Sequence, residues 1–115
     1  MNIEWLRDYC LTKPGVTESF PFDEDVLVFK VLGKIFALIS VSEPDTVNLK
    51  CEPERAIELR SAYPLAIIPG YHMNKKMWNT VTLSGVPFAL LQELVDHSYA
   101  EVVAGLPKKV RATLG

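Results

Sequence analysis

The densest concentration of chemically capable side chains lies in the run Pro69-Gly70-Tyr71-His72-Met73-Asn74-Lys75-Lys76-Met77-Trp78-Asn79. It sets His72, Lys75 and Lys76 beside Tyr71 and Trp78, with amide side chains at Asn74 and Asn79. Lysines attract phosphate, aromatic rings offer stacking area, and Asn offers a paired donor and acceptor to base edges. That combination points to nucleic-acid binding. The same residues also fit a plain structural role: lysines for solubility, a Trp filling a sheet edge, and an Asn closing an Asx-turn.

Other chemistries find no matching spacing. There is no GxSxG elbow, and neither Ser40 nor Ser84 has a base nearby in sequence. Cys51 has no spacing that pairs it with His72 or His97 as nucleophile and base. The two histidines fall on separate elements, outside any HxxxH or HExxH pattern. Asp23-Glu24-Asp25 lacks the alternation and glycine of a calcium loop and reads as a solvated turn. No glycine-rich loop joins a strand to a helix, so a nucleotide phosphate cradle is absent. The expectation is a protein without catalytic residues, metal or cofactor.

The elements that must position the basic-aromatic run follow from periodicity. Ile3, Leu6 and Cys10 mark a first helix over Asn2–Leu11, stopped by Lys13-Pro14-Gly15. An irregular acidic loop, Glu18–Asp25, precedes β-rich runs at Val26–Val31 and Lys34–Val41, joined by Leu32-Gly33 as a hairpin. Thr46–Cys51 alternates like a third strand. Glu52-Pro53-Glu54 opens a second helix that Pro64 ends, with Ala56, Leu59 and Tyr63 on one face. Ala66–Ile68 and Trp78–Leu83 read as short strands, and Pro87–Ala104 as the longest helix, striped by Phe88, Leu91, Val95, Tyr99 and Val102. From about residue 107 to 115 a frayed basic tail is expected.

The order α-β-β-β-α-β-β-α predicts one α+β domain over residues 1–115. It is a two-layer α/β sandwich with a five-stranded, mainly antiparallel sheet and its helices on one face. Alternation sends Leu27, Phe29, Val31, Phe36, Leu38, Val47, Leu49, Cys51, Val81 and Leu83 toward the helices. The other face then carries Val28, Lys30, Ile35, Ile39, Asn48, Lys50, Trp78, Thr80 and Thr82, where Lys30 and Lys50 would join the basic run. Leu91 and Val95 complete the expected core, and Cys10 and Cys51 are expected as buried free thiols.

Composition narrows the classes. Net charge is −2, against the strong basicity of indiscriminate nucleic-acid binders. The charge is uneven: residues 1–60 hold seven Lys/Arg and eleven Asp/Glu, residues 61–115 five and three. No apolar run is long enough to span a membrane, and the opening stretch lacks a signal peptide's basic and apolar regions. A reducing cytoplasm is the expected compartment.

Several blocks in order resemble the MmcQ/YjbR family. They are Lys13-Pro14-Gly15, Phe20-Pro21-Phe22, Phe29-Lys30-Val31, Asn48-Leu49-Lys50-Cys51, the Pro69–Val81 block and Leu94-Val95-Asp96 with Ser98-Tyr99. The resemblance covers essentially the whole chain, and its most specific part is His-Met-Asn-Lys-Lys-x-Trp. It implies a two-layer fold likened to CyaY and to type III secretion chaperones. It also implies a DNA-binding label with no established catalytic residues, and carries His72, Asn74, Lys75, Lys76 and Trp78 over as a site. Two partner classes are therefore expected: DNA at that site with Lys30 and Lys50, or alternatively a protein, a second copy included, on a semi-apolar patch of Val28, Ile35 and Ile39.

Overall fold

A computed structural model describes residues 2–70 and 73–114. In chain order the elements are α1 (Ile3–Leu11), β1 (Val16–Ser19), β2 (Val26–Val31), β3 (Lys34–Ser40), β4 (Thr46–Lys50), α2 (Pro53–Ala62), β5 (Ile67–Pro69), β6 (Trp78–Thr82), α3 (Phe88–Ala104) and α4 (Lys108–Arg111). Short 3₁₀ turns follow β6 and α4. The strands form one six-stranded sheet in the order β1-β2-β3-β4-β6-β5, each described pair antiparallel. The fold is α+β, with one more strand than the sequence predicts. The addition, β1, lies at the sheet edge, where Val16 to Ser19 pair with Val31 to Val28. It takes Glu18 and Ser19 out of the expected loop. Its sole apolar residue, Val16, leaves no alternation to read.

Local chemistry fixes the boundaries. Asn2 Oδ1 accepts the Trp5 amide at 3.0 Å and caps α1. Glu52 caps α2, its two carboxylate oxygens each 3.0 Å from the amides of Glu54 and Arg55, and Pro53 takes the first helical position. The β2–β3 hairpin turns through Leu32 (φ 48°) and Gly33 (φ 88°), the left-handed pair a tight two-residue turn requires. The C-terminal segment forms α4 and a 3₁₀ turn, and Leu114 packs against the core.

The core lies between sheet and helices. Leu6 and Cys10 of α1 and Leu91 and Val95 of α3 meet Phe29, Phe36, Val47, Leu49 and Val81, all essentially inaccessible. Burial pushes the Cys10 thiol up to about 12 and the Cys51 thiol up to about 11. Both cysteines are free and buried, so a thiol reagent added to the folded protein is expected to label them only after denaturation. Labelling at the rate of an exposed thiol would refute this placement.

One irregularity changes the faces of β3. Phe29 pairs with Ala37 but Lys30 with Ile35, so Phe36 is an extra residue bulged out of the ladder. Phe36, Ala37 and Ile39 all join the helix-side core, while Ile35 and Leu38 turn to the other face. The alternation-based placement of Leu38 in the interlayer core and Ile39 on the open face is thus reversed beyond the bulge. Ser98 of α3, fully buried, repairs the gap. Its Oγ donates to the Phe36 carbonyl at 2.5 Å and accepts the Lys50 amide at 2.8 Å. Ser98→Ala removes both partners at once, and an unpaired buried polar group costs about 1–3 kcal/mol. A fall of that size in unfolding free energy is expected by urea titration, and no change would mean that water replaces the hydroxyl.

Candidate nucleic-acid interface

The face of the sheet turned away from the helices carries the candidate site. Its central row is set by register: Ser19, Val28, Leu38, Asn48, Thr80 and Ile68 stand side by side from β1 to β5. At one end of that row lie Lys30, paired with Ile35, and Lys50, paired with Trp78. The strand β3 separates the two lysines, and both are half-buried. Lys34, Ile35 and Lys50 line a shallow recess with the C-terminal end of α3. Lys75 and Lys76, both exposed, enter β6 at this same end. The structure therefore brings Lys30, Lys50, Lys75 and Lys76 to one edge of the open face.

The loop before β6 is built by hydrogen bonds. Asn74 Oδ1 accepts the Lys76 amide at 3.0 Å, an Asx-turn, and the Asn74 carbonyl accepts the amides of Met77 and Trp78. The Gly70 amide bonds the Trp78 carbonyl at 2.8 Å. A Cβ on Gly70 would lie 3.2 Å from Trp78 Cβ and 3.3 Å from Asn48 Oδ1, so glycine allows this close approach. Arg60, near the end of α2, holds the loop from the helix side. Its Nε donates to Asn79 Oδ1 at 2.7 Å, and its Nη2 donates to the carbonyls of Lys75 and Trp78. Arg60 has no sequence signature, because the residues it clasps lie more than a dozen positions downstream.

Trp78 is only 7 % exposed. With Val28 and Leu38 it forms a small second cluster, edged by Val26, Ile35, Met73 and Met77. Its ring area is spent on this packing, and Asn74 Oδ1 on the turn. Of the described residues of the run, Lys75 and Lys76 are exposed. His72 and Tyr71 lie outside the described residues. His97 is a framework residue, its Nε2 accepting the Glu52 amide at 3.1 Å. The patch of Val28, Ile35 and Ile39 does not form: Val28 and Ile39 are fully buried, Ile39 on the helix side, and only Ile35 is partly accessible.

The opposite end of the face is acidic. Asp23 Oδ1 accepts the amides of Asp25 and Val26, folding the loop before β2. The Asp25 carboxylate accepts the Ser40 hydroxyl at 2.7 Å, the Ser42 amide at 2.8 Å and the Ser42 hydroxyl at 3.0 Å. Those bonds, the Ser40 hydroxyl's foremost, hold its carboxyl below the ordinary carboxylate range. The sequence reading of Asp23-Glu24-Asp25 as a solvated turn missed this, because the serines that Asp25 binds are fifteen and seventeen residues on. Among the described residues no cluster of His, Cys, Asp and Glu is arranged to hold a metal ion, and no helix is long and apolar enough to cross a membrane.

Helices on one face of a six-stranded antiparallel sheet, with a lysine-edged opposite face overhung by the loop before β6, define a two-layer α+β protein. The YjbR family model matches residues 11–101, and the chain belongs to the YjbR family. It is 37 % identical over 116 residues to protein YjbR of Escherichia coli K12, covering 99 % of this chain and 98 % of that one. It is 39 % identical over 108 residues to protein YbdF of Escherichia coli O157:H7, covering 92 % and 88 %. Among crystal structures, Deinococcus radiodurans protein DR2400 superposes with a TM-score of 0.90 at 48 % identity, over 98 % of this chain and 87 % of that one.

Proposed function

We propose that this YjbR-family chain is a non-catalytic module that binds nucleic acid through its backbone, using the lysine-lined end of the open sheet face. The observation that supports this reading is the convergence of Lys30 and Lys50, from separate strands, with Lys75 and Lys76 at the start of β6. Such lysines act as point charges on phosphates and carry no sequence information, so the module takes duplexes of differing sequence about equally. With Trp78 buried, stacking on a base adds nothing in this conformation.

The test is a titration against generic duplex and single-stranded DNA at two salt concentrations. Wild type is expected to bind within the non-specific range, roughly 1–100 μM near physiological salt and tighter as salt falls. Lys50→Ala with Lys76→Ala should weaken binding uniformly and shallow the log–log salt slope by up to about 2. An unchanged slope in the double variant, or no wild-type binding below about 100 μM at low salt, rejects the reading.

A second reading, a protein-binding module, draws on a different observation. Phe20 and Phe22, on the loop between β1 and β2, are 50 % and 66 % exposed, an aromatic pair that solvent does not favour. A measured mass that rises with concentration, and that Phe20→Ala with Phe22→Ala abolishes, supports it over the first reading.

A further inference from the structure

The acidic end of the open face encloses a groove of about 630 Å³, within the range of small-molecule sites. Leu38 and Val26 form its floor, and Phe22 and Met73 flank it from the two overhanging loops. Its remaining walls are polar, and their hydrogen bonds run one way. The Ser40 and Ser42 hydroxyls donate to Asp25, the Thr46 hydroxyl donates to the Glu43 carbonyl at 3.1 Å, and the Thr80 hydroxyl donates to Asn48 Oδ1 at 2.5 Å. Each hydroxyl has its hydrogen committed to the protein and keeps oxygen lone pairs for a visitor. Among the described residues the lining also holds the carboxylates of Asp25 and Glu43 and the side-chain amide of Asn48, and no Lys, Arg or His. The groove is thus rich in acceptors and negative, over an apolar floor.

We infer that this groove binds a small organic ammonium whose apolar body lies on Leu38, Val26 and Met73 and whose charged head donates to Glu43 and the acceptor-bearing hydroxyls beside Asp25. Apolar floor and charged wall act together. A carboxylate or phosphate ligand would meet two negative charges, and a neutral alcohol would lose the charge-assisted bonds that are roughly twice as strong as neutral ones. Phe22, 66 % exposed at the rim, can lay its ring over the cation. Asp25 remains ionised well into acid because its serine bonds favour the charged form. The site lies at the end of the face away from the lysines and does not depend on nucleic-acid binding there.

Three probes share one ring and differ in the head: 2-phenylethylamine, 2-phenylethanol and 3-phenylpropionate. Each is titrated into the full chain while backbone amide resonances are followed. The amine should shift Ser42, Thr46, Asn48 and Thr80 saturably, with the alcohol about tenfold weaker and the carboxylate weaker still. Glu43→Gln, at an exposed position, should weaken the amine about tenfold and leave the alcohol unchanged. Phe22→Ala, also exposed, should weaken both. Equal affinity for amine and alcohol, shifts falling at Lys30 and Lys50 instead, or no saturable shift with any probe would overturn the assignment.

Discussion

Trp78→Ala is expected to destabilise the protein by about 3–5 kcal/mol, the usual cost of truncating a buried tryptophan. For a domain of this size that lowers the melting temperature by roughly 10–20 °C. The cause is local. Trp78 opens β6, pairs with Lys50 across the ladder and clusters with Val28 and Leu38 on the face turned away from the helices. Met73 and Met77 pack against it, so its removal also unseats the loop that carries Lys75 and Lys76. The loss of melting temperature should therefore be seen whether or not nucleic acid is present. Melting curves of wild type and variant, each with and without DNA, check this. A variant that melts like wild type but binds DNA less tightly would show that the ring leaves its cluster to stack on a base.

Phe36→Ala and Leu38→Ala separate the two faces of β3. Phe36 is fully buried against α3, its ring 5.5 Å edge-on from Tyr99, and its truncation should cost about 3–5 kcal/mol. Leu38 sits in the smaller cluster under half-buried neighbours that can settle into the gap, so about 2 kcal/mol is expected, the low end for such a change. The spectroscopic signatures differ more than the energies. Leu38→Ala should move the Trp78 indole resonance and leave the methyls of Leu91 and Val95 in place, and Phe36→Ala should do the reverse. Shifts in Leu91 and Val95 on truncating Leu38 would mean that the bulge is absent.

The bulge also shows where reading by pattern stops. Ile35-Phe36-Ala37-Leu38-Ile39 is apolar throughout, so nothing in it marks which residue faces which layer. An alternation rule slips there by one place without any sign in the sequence. Where the strands are short and carry polar residues, as in Thr46–Lys50 and Trp78–Thr82, faces were legible, and with them that Lys50 and Trp78 share the open face, though not that they pair. Helix ends were legible too, since Asn2 and Pro53 act through immediate neighbours. The lysine edge was readable as composition. The roles of Arg60, Asp25 and Ser98 were not, because each works on residues fifteen or more positions away, brought near only by the sheet. Asn74 and Trp78 were singled out for chemistry, and the structure gives them the turn and the packing that their residue types equally allow.

The attachment of α1 bears on how the chain acquires its structure during synthesis. Tyr9 OH donates to Asp96 at 2.6 Å, Lys13 pairs with the same carboxylate, and Tyr99 OH donates to the Pro14 carbonyl at 2.6 Å. These contacts close loops of 87, 83 and 85 residues. At about 5–20 residues per second, α3 emerges from the ribosome roughly 4–20 s after the segment it must hold. A nine-residue helix is too short to persist alone in that interval. Trp5, Leu6 and Cys10 thus spend seconds without their partners, a window in which a nascent-chain chaperone or an oxidant meets a segment that the finished fold conceals.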